Sequence, residues 1–392
     1  MASIITFKDN EGKKRYKVTY ELPRLDGMRH RKSKTFPYGT KYTDVVAFKR
    51  QKEVELATGE FTSNTNITLT EYVEKVYFPV YTMYLSPTTV VNYKRLYDSG
   101  RDYCVKERFG SFKLKDINRR MVQEYVNLLS TKVGAKTIRE YIYWLHSVFD
   151  TAISEGIIKP TCNPTEKLKL PPKEKSEIEP YTLAELQLML AESKDDRINH
   201  LVIGLAGLAG LRRGEIMGLR WSDVDLSPEN PVLHIRQSRV YSGGKIDVKS
   251  PKTKAGIRDV PIPKTLADIL RQEQLAYKEN KLRHGSDFND SGYVVVKEDG
   301  TPRRPGSVSD HYECFVRRMG REHNLPFKSL HKLRHTYATL LIDMGANPKT
   351  VQKNLGHEDV MMTLGVYAHA YESRQRTEVD RLDSIIRVPA NA

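Results

Sequence analysis

The chain opens with positions that alternate between apolar and polar side chains, which is the spacing of half-buried strands. Three segments share this pattern and are separated by turn-forming residues: 3–8, 14–21 and 28–36. Residues 43–56 are predicted to form a helix, and the polar stretch 62–68 is typical of a linker. Residues 1–62 are therefore predicted to form a small domain, a three-stranded sheet plus a helix.

A helical pattern replaces the alternation over residues 68–159, where a helical bundle is predicted. Thr70 is placed to cap its first helix, and Ser86 followed by Pro87 marks a second helix start. Residues 135–155 carry apolar side chains at helical spacing.

Five prolines and alternating Lys and Glu make residues 160–180 resemble an extended interdomain linker. Beyond it, Thr182 starts a helix, and the run 200–211 is too apolar to be an exposed helix. Three alternating segments are predicted as strands: 232–240, 245–249 and 257–262. Residues 181–386 are thus predicted to form a mixed α+β domain with an amphipathic C-terminal helix, and the whole chain to be multidomain, mainly α with small β-sheets.

The charge of the chain indicates a polyanionic partner. With 64 Lys and Arg against 49 Asp and Glu, the net charge is +15 and the pI near 9.4. Neutralising phosphates releases condensed counterions, so nucleic acid is expected to bind; charge needed only for solubility is the alternative. Three scattered cysteines and the lack of a leader or an apolar span predict a soluble protein of a reducing cytoplasm that is not associated with a membrane.

Basic side chains concentrate in the N-terminal sheet. The candidates for DNA contact there are Lys13, Lys14, Arg15, Lys17, Arg29, Arg31, Lys32 and Lys34. A small sheet can lie in the major groove with the side chains of one face directed at DNA. A solvated face of a small fold is the alternative. Arg119 and Arg120, in the helical segment, are two further candidates.

Five motifs in the C-terminal half carry the chemistry. They are Gly-Leu-Arg-Arg-Gly-Glu at 210–215, Pro-Lys-Thr-Lys-Ala-Gly-Ile-Arg at 251–258, His-Lys-Leu-Arg-His-Thr at 331–336, Leu-Gly-His at 355–357 and Val-Tyr-Ala-His at 366–369. Guanidinium groups match phosphate oxygens, Lys and His can move protons, and a Tyr hydroxyl can become a covalent nucleophile. Together these groups could break a phosphodiester without a metal ion.

Spacing narrows the choice within two of these motifs. Arg212 follows an apolar run and must be paired or face a ligand, and Glu215 is placed to orient it; Arg213 is the alternative. His331 and Arg334 are three residues apart on one helix and can address one anion together. His335 faces elsewhere and is expected to be structural.

These motifs resemble the signature of the tyrosine recombinases of the phage integrase family, above all the integrases of conjugative transposons and temperate phages of Gram-positive bacteria. The Arg, Lys, His-x-x-Arg, His, Tyr signature falls in order on Arg212, Lys254, His331, Arg334, His357 and Tyr367. The resemblance covers residues 65–385. It implies an arm-type DNA-binding domain at 1–62, a core-binding domain at 68–159 and a catalytic domain at 181–386, whose last helix docks on a neighbouring protomer or caps its own domain.

The resemblance also implies a mechanism. Tyr367 attacks the scissile phosphorus and forms a 3′-phosphotyrosyl bond, with Tyr371 as the alternative nucleophile. Lys254, or Lys252, protonates the departing 5′ oxygen. The expected partners are double-stranded attachment sites and further copies of the chain in a tetramer, with DNA-bending and directionality proteins as candidate accessories. No cofactor is expected, since the ester retains the bond energy.

Other functions remain open at the level of sequence. A type IB topoisomerase would use the same residues to relax DNA. A metal-dependent nuclease would need clustered carboxylates, which the sequence lacks near its histidines. A sequence-specific DNA-binding regulator with a vestigial site would have no need for the phenol and both arginines.

Overall fold

The computed structural model describes residues 2–9, 11–21, 31–57, 66–159, 163–173, 179–249 and 256–356. It divides into two compact units, Met1–Lys175 and Ser176–Ala392. Both are built mainly from helices with small antiparallel sheets, which confirms the predicted fold class.

The first unit begins with the predicted three-stranded sheet. Its strands are β1 (Ala2–Lys8), β2 (Lys14–Glu21) and β3 (Arg31–Thr35), paired antiparallel in that order, and they precede helix α1 (Tyr42–Ala57). Residues 28–30 of the third predicted strand lie outside the described residues. Val18, Phe36 and Val45 form a small core between sheet and helix. Alternation along β2 therefore gives the sheet one face packed on α1 and one open face.

A helical bundle follows in the same unit. Its elements are α2 (Leu69–Tyr72), a π-helix (Val73–Tyr81), α3 (Pro87–Tyr97), α4 (Val105–Phe109), α5 (Arg119–Ser130) and α6 (Ala135–Ser154). Trp144 of α6 is fully buried at the centre of its core. Ser86 caps α3 ahead of Pro87, as predicted, but the first helix is capped by Thr68 and not by Thr70. Thr68 and Glu71 form a reciprocal capping box, which Thr70 has no acidic partner to make.

Residues 163–173 of the predicted linker 160–180 pack onto the bundle, and the interdomain role of this segment stays a prediction. The Lys169 backbone N–H donates to Gln123 Oε1 at 2.8 Å, and Gln123 Nε2 donates back to the Lys169 carbonyl at 3.0 Å. Leu168 and Leu170 pack against the core. The prolines there rule out a helix, but they leave carbonyls and apolar side chains free to bind a neighbouring surface.

The second unit surrounds one large apolar core. Its helices are α7 (Leu183–Glu192), α8 (Arg197–Gly207), α9 (Arg213–Gly218), α10 (Lys264–His284), α11 (Pro305–His323), α12 (Leu330–Asp343) and α13 (Pro348–Leu355). Thr182 caps α7 through a capping box with Glu185, as predicted. Helix α8 is buried along most of its length, which explains its apolar sequence.

The described strands of the second unit form two separate small sheets. They are β4 (Val224–Asp225), β5 (Val232–Ile235), β6 (Ser238–Ser242), β7 (Lys245–Lys249) and β8 (Arg258–Pro261), with orders β4-β5-β8 and β6-β7. The single strand predicted at 232–240 is therefore two strands. Gln237, at the break, donates from Nε2 to the Gly218 carbonyl at 2.7 Å. This contact binds the break to the end of α9.

No helix in the described ranges is both long and apolar enough to cross a membrane.

Candidate active site

Arg212 lies at the start of helix α9, just after a sharp turn. Helix α8 ends at Gly207, four residues earlier than the predicted apolar helix, and Gly210 takes a left-handed conformation with φ +65°. The turn buries Leu211 in the core and leaves Arg212 in extended conformation as the N-cap of α9. Only a residue without Cβ fits here, because a Cβ on Gly210 would lie 2.5 Å from the Tyr337 ring.

Glu215 is the buried centre of the site. It is 4% exposed, and it lies on the first turn of α9, three residues after Arg212. Its Oε2 accepts the Arg212 backbone N–H at 2.9 Å, and its Oε1 accepts Arg212 Nη1 at 2.7 Å. The predicted pairing of Glu215 with Arg212 is present, and it fixes both the helix start and the guanidinium.

Arg258, which the sequence reasoning did not assign, makes the strongest contact with Glu215. It is the first residue of β8 and is 5% exposed. Its Nη1 and Nη2 donate to the two carboxylate oxygens of Glu215 at 3.1 and 2.8 Å, a bidentate pair. The sequence contains a signal for this buried position. Arg258 lies two residues before Val260 and four before Ile262, so it shares the inward-facing side of the strand with these two apolar residues.

Arg334 is the third guanidinium around Glu215. It lies on the second turn of α12, is 3% exposed, and its Nη1 is 3.8 Å from Glu215 Oε2. Its Nη1 also donates to the Gly210 carbonyl at 2.6 Å, so the turn before Arg212 is tied to Arg334. Helix α12 begins at Leu330 with Ser329 as its N-cap, near the predicted start, and the structure brings Arg212, Glu215 and Arg334 together.

The charges in this cluster shift the pKa values of its members. Burial alone would raise the pKa of Glu215, but the hydrogen bonds and charge of Arg258, with the charges of Arg212 and Arg334, lower it to about 2. Burial, reinforced by the charge of Arg212, lowers the pKa of Arg334 to about 9. Both groups are therefore charged at neutral pH, and the cluster of three guanidiniums and one carboxylate is cationic.

His331 stands at the exposed side of the cluster, one turn before Arg334 on α12. Loss of solvent around the ring and the charges of Arg334 and Arg212 lower its pKa, which favours a neutral imidazole. Its ring lies edge-on to that of His335, with centroids 4.9 Å apart. Burial and the neighbouring His331 lower the pKa of His335 to about 4.

A groove of about 510 Å³ opens beside the cluster. Arg212, Arg213 and His331 line it, together with Ser238 and Val240 of strand β6. The Arg212 side chain is 39% exposed, in contrast to the buried Arg258 and Arg334. A groove floored by guanidinium and imidazole groups is suited to an anionic oxygen such as that of a phosphodiester.

Three of the six predicted catalytic residues, Lys254, His357 and Tyr367, lie outside the described residues, as do the alternatives Lys252 and Tyr371. The described chain stops at Gly356, directly before His357, and this end is part of the site. Arg212 Nη2 donates to the Gly356 carbonyl at 3.0 Å. Among the described residues, no group of His, Cys, Asp and Glu is arranged to hold a metal ion.

The basic residues predicted to contact DNA divide between the two faces of the N-terminal sheet. Arg15, Lys17 and Arg31 have the strand parity of the open face, beside the exposed Ile5 and Phe7. Lys14, Lys32 and Lys34 have the parity of Val18, the face packed on α1, and Lys34 Nζ lies 4.5 Å from the centre of the Phe48 ring. Lys13 precedes β2 and pairs with Glu11 at 2.7 Å. Arg29 lies outside the described residues.

The other two candidates, Arg119 and Arg120, are exposed on the first turn of α5. Arg120 Nε pairs with Glu124 at 3.0 Å.

Comparison with known proteins places this arrangement in a family. The phage integrase SAM-like domain matches residues 68–169, and the phage integrase family matches residues 181–374. The chain therefore belongs to the phage integrase family, the tyrosine-type site-specific recombinases, as the sequence motifs predicted.

Known relatives agree with this assignment. A XerC-like tyrosine recombinase of Caldanaerobacter subterraneus is 29% identical, covering 95% of this chain and 97% of that protein. The ICEBs1 integrase of Bacillus subtilis is 28% identical, covering 79% of this chain and 84% of that protein. The Tn1549 transposon integrase in complex with transposon right end DNA aligns with a TM-score of 0.64 at 22% identity, covering 81% of this chain and 100% of that one. A lambda integrase dimer bound to a core site aligns with a TM-score of 0.56 at 18% identity, covering 76% of this chain and 95% of that one. These two structures share the fold.

Proposed function

We propose that this chain is the integrase of a mobile element, which integrates and excises that element by cutting and rejoining DNA at specific sites. The observation that carries the proposal is a groove lined by Arg212 and His331, in which Arg212 is held by the buried Glu215 and Arg334 lies buried beside that carboxylate. Guanidinium groups placed to stabilise the negative charge of a phosphate suit transesterification at phosphorus.

The proposed reaction assigns a role to each predicted residue. Tyr367 attacks the phosphorus and displaces the 5′ oxygen, which Lys254 protonates; the DNA 3′ end stays on the protein as a phosphotyrosine. Arg212 and Arg334 stabilise the negative charge on the non-bridging oxygens, while His331 and His357 hydrogen-bond the phosphate or help to move protons. The 5′ hydroxyl of a second DNA then attacks the phosphotyrosine and reverses the step with exchanged partners.

We further propose that the chain works as a tetramer on two double-stranded attachment sites in the bacterial cytoplasm. A lambda integrase tetramer bound to a Holliday junction, with a TM-score of 0.56 to this chain, supports an assembly of this kind. Residues 1–62 would bind arm-type sites, the helical bundle the core site, and residues 181–386 would carry out the chemistry. DNA-bending and directionality proteins are the candidate accessory partners.

The nucleophile provides the test. Tyr367→Phe removes only the attacking oxygen, so this variant should bind core-site DNA normally and yet form no covalent adduct on a nicked suicide substrate. Tyr371→Phe is the matched control and should form the adduct at the normal rate. Electrophoresis of the denatured complex and peptide mapping of the trapped DNA measure both. An adduct mapped to Tyr371, or to a serine, would contradict the assignment of Tyr367.

A further inference from the structure

The end of helix α13 is held by guanidinium groups. The last carbonyls of a helix have no partner within the helix and must be satisfied from outside. Three arginines satisfy three consecutive carbonyls here. The pairs are Arg258 Nε to Asn354 O at 2.6 Å, Arg334 Nη2 to Leu355 O at 2.5 Å and Arg212 Nη2 to Gly356 O at 3.0 Å. The same three arginines surround Glu215, so one cluster fixes both α9 and the chain that leads into His357.

Arg258 differs from Arg212 because nearly all of its donors are bonded within the protein. Its Nε donates to Asn354 O, its Nη1 to Glu215 and to Gly256 O at 3.3 Å, and its Nη2 to Glu215. These bonds use four of the five N–H groups of a guanidinium, and the side chain is 2% exposed. Arg258 therefore does not reach a ligand in the groove, whereas Arg212 does.

The role of the buried Arg258 follows from the balance of charges around Glu215. The bidentate pair with Arg258 takes up most of the hydrogen-bonding capacity of the Glu215 carboxylate. Without Arg258, the carboxylate would be neutralised by Arg212 and Arg334 alone, the two groups proposed to bind phosphate. A phosphodiester gains one further negative charge when an oxyanion attacks it, so the cationic charge left over in the cluster matters most in the transition state.

We infer that Arg258 is a positioning residue for strand cleavage: it neutralises Glu215, so that the charges of Arg212 and Arg334 remain available to the scissile phosphate, and it anchors the chain ahead of His357. This inference rests on the proposed function. It assigns Arg258 no contact with DNA.

The test compares two scissile groups in single-turnover cleavage of a suicide substrate. One is the normal phosphodiester, and the other is a methylphosphonate, in which a methyl group replaces one non-bridging oxygen and removes the negative charge. Arg258→Gln should slow cleavage of the phosphodiester about 10²-fold, near the loss of one oxyanion donor, with DNA affinity unchanged. On the uncharged substrate the same variant should lose less than about 10-fold. An equal loss on both substrates would show a merely structural role and overturn the inference.

Two further variants serve as controls for this experiment. Arg258→Lys keeps the charge but not the bidentate fork, so it should cleave faster than Arg258→Gln; an equal or slower rate would also overturn the inference. Arg197→Gln is the matched control, because Arg197 pairs bidentately with the buried Glu273 at 2.8 and 3.2 Å on α8 and α10. Arg197→Gln should lower the midpoint of unfolding about as much as Arg258→Gln does, but it should leave the cleavage rate unchanged. Failure of the unmodified protein to cleave refutes the proposed function, whereas normal cleavage by Arg258→Gln refutes only this inference.

Discussion

Glu215 carries a negative charge with almost no access to water, and its ionisation is coupled to folding. Its pKa of about 2 in the folded protein is below the ordinary value of 4.5. A lowered carboxyl pKa stabilises the fold above the unfolded pKa, and this stabilisation is lost as the pH falls through the folded pKa. The shift corresponds to about 3 kcal/mol at neutral pH.

Glu215→Gln should therefore destabilise the second unit by several kcal/mol at pH 7 and by clearly less at pH 3. Urea unfolding followed by the fluorescence of Trp221 measures this, in a Trp144→Phe background that removes the only other tryptophan. The loss at pH 7 should also exceed that of an exposed carboxylate, because three guanidiniums lose their shared anion.

Glu273 is the control for this pH dependence, since it is equally buried but its pKa is shifted in the opposite direction. Burial raises its pKa in spite of its partner Arg197. A raised carboxyl pKa makes the ionised form unfavourable in the fold, so the stabilisation is lost as the pH rises. The effect of Glu273→Gln should not grow between pH 3 and pH 7. Parallel pH profiles for the two variants would refute the proposed origin of the Glu215 shift.

Sequence predicted contacts between neighbouring residues better than contacts between distant ones. The pairing of Arg212 with Glu215 followed from their spacing, because residues three apart on a helix are neighbours. The role of Arg258 did not follow, since its partner is 43 positions away and the pair forms only when β8 packs beside α9. Lys254, His357 and Tyr367 stay predictions.

At the scale of elements, the turn between α8 and α9 joins the core to the site. Gly210 combines a left-handed φ of +65° with close packing against Tyr337, and its carbonyl accepts Arg334. Gly210→Ala should cost about 2–4 kcal/mol, from left-handed strain of about 1–2 kcal/mol and the remainder from overpacking. It should also slow cleavage, since the acceptor of Arg334 moves. Urea unfolding and single-turnover cleavage measure the two effects.

Gly345→Ala separates the two contributions. Gly345 has φ +87° and lies in the same unit, but a Cβ there would meet no atom within 4 Å. Gly345→Ala should therefore be destabilised only by the left-handed strain, and it should cleave DNA at the normal rate. A Gly210→Ala protein no less stable than Gly345→Ala would rule out the steric contribution.

Local signals predicted helix starts, while pairing between distant segments escaped prediction. The helix starts predicted at Ser86 and Thr182 were correct, because N-capping depends only on the capping residue and the three residues after it. Thr68 was missed although the same rule, with Glu71 three residues on, identifies it. The break of the strand 232–240 depends on partners elsewhere in the chain, β8 for one half and β7 for the other. Alternation of apolar residues alone does not show where the chain leaves one sheet and enters another.

At the scale of the whole molecule, the net charge of +15 leads us to expect DNA binding over a large surface, with affinity that falls steeply with salt. The N-terminal sheet allows a specific test of this expectation, because both of its faces carry basic residues and one of the faces packs on α1. The open face presents Lys17 and Arg31, whereas Lys14 and Lys32 have the parity of the face packed on α1.

Deleting residues 1–62 should therefore abolish binding to sites away from the crossover and spare cleavage of a core-site suicide substrate. The double variant Lys17→Ala/Arg31→Ala should reproduce part of this loss and lower the slope of log affinity against log salt by about 2, close to 0.9 per phosphate contact. Lys14→Ala/Lys32→Ala removes the same charge and should change the slope much less. Equal effects of the two pairs would mean that net charge alone drives binding. Equal binding of the truncated and full-length proteins at every site would refute a separate arm-binding domain.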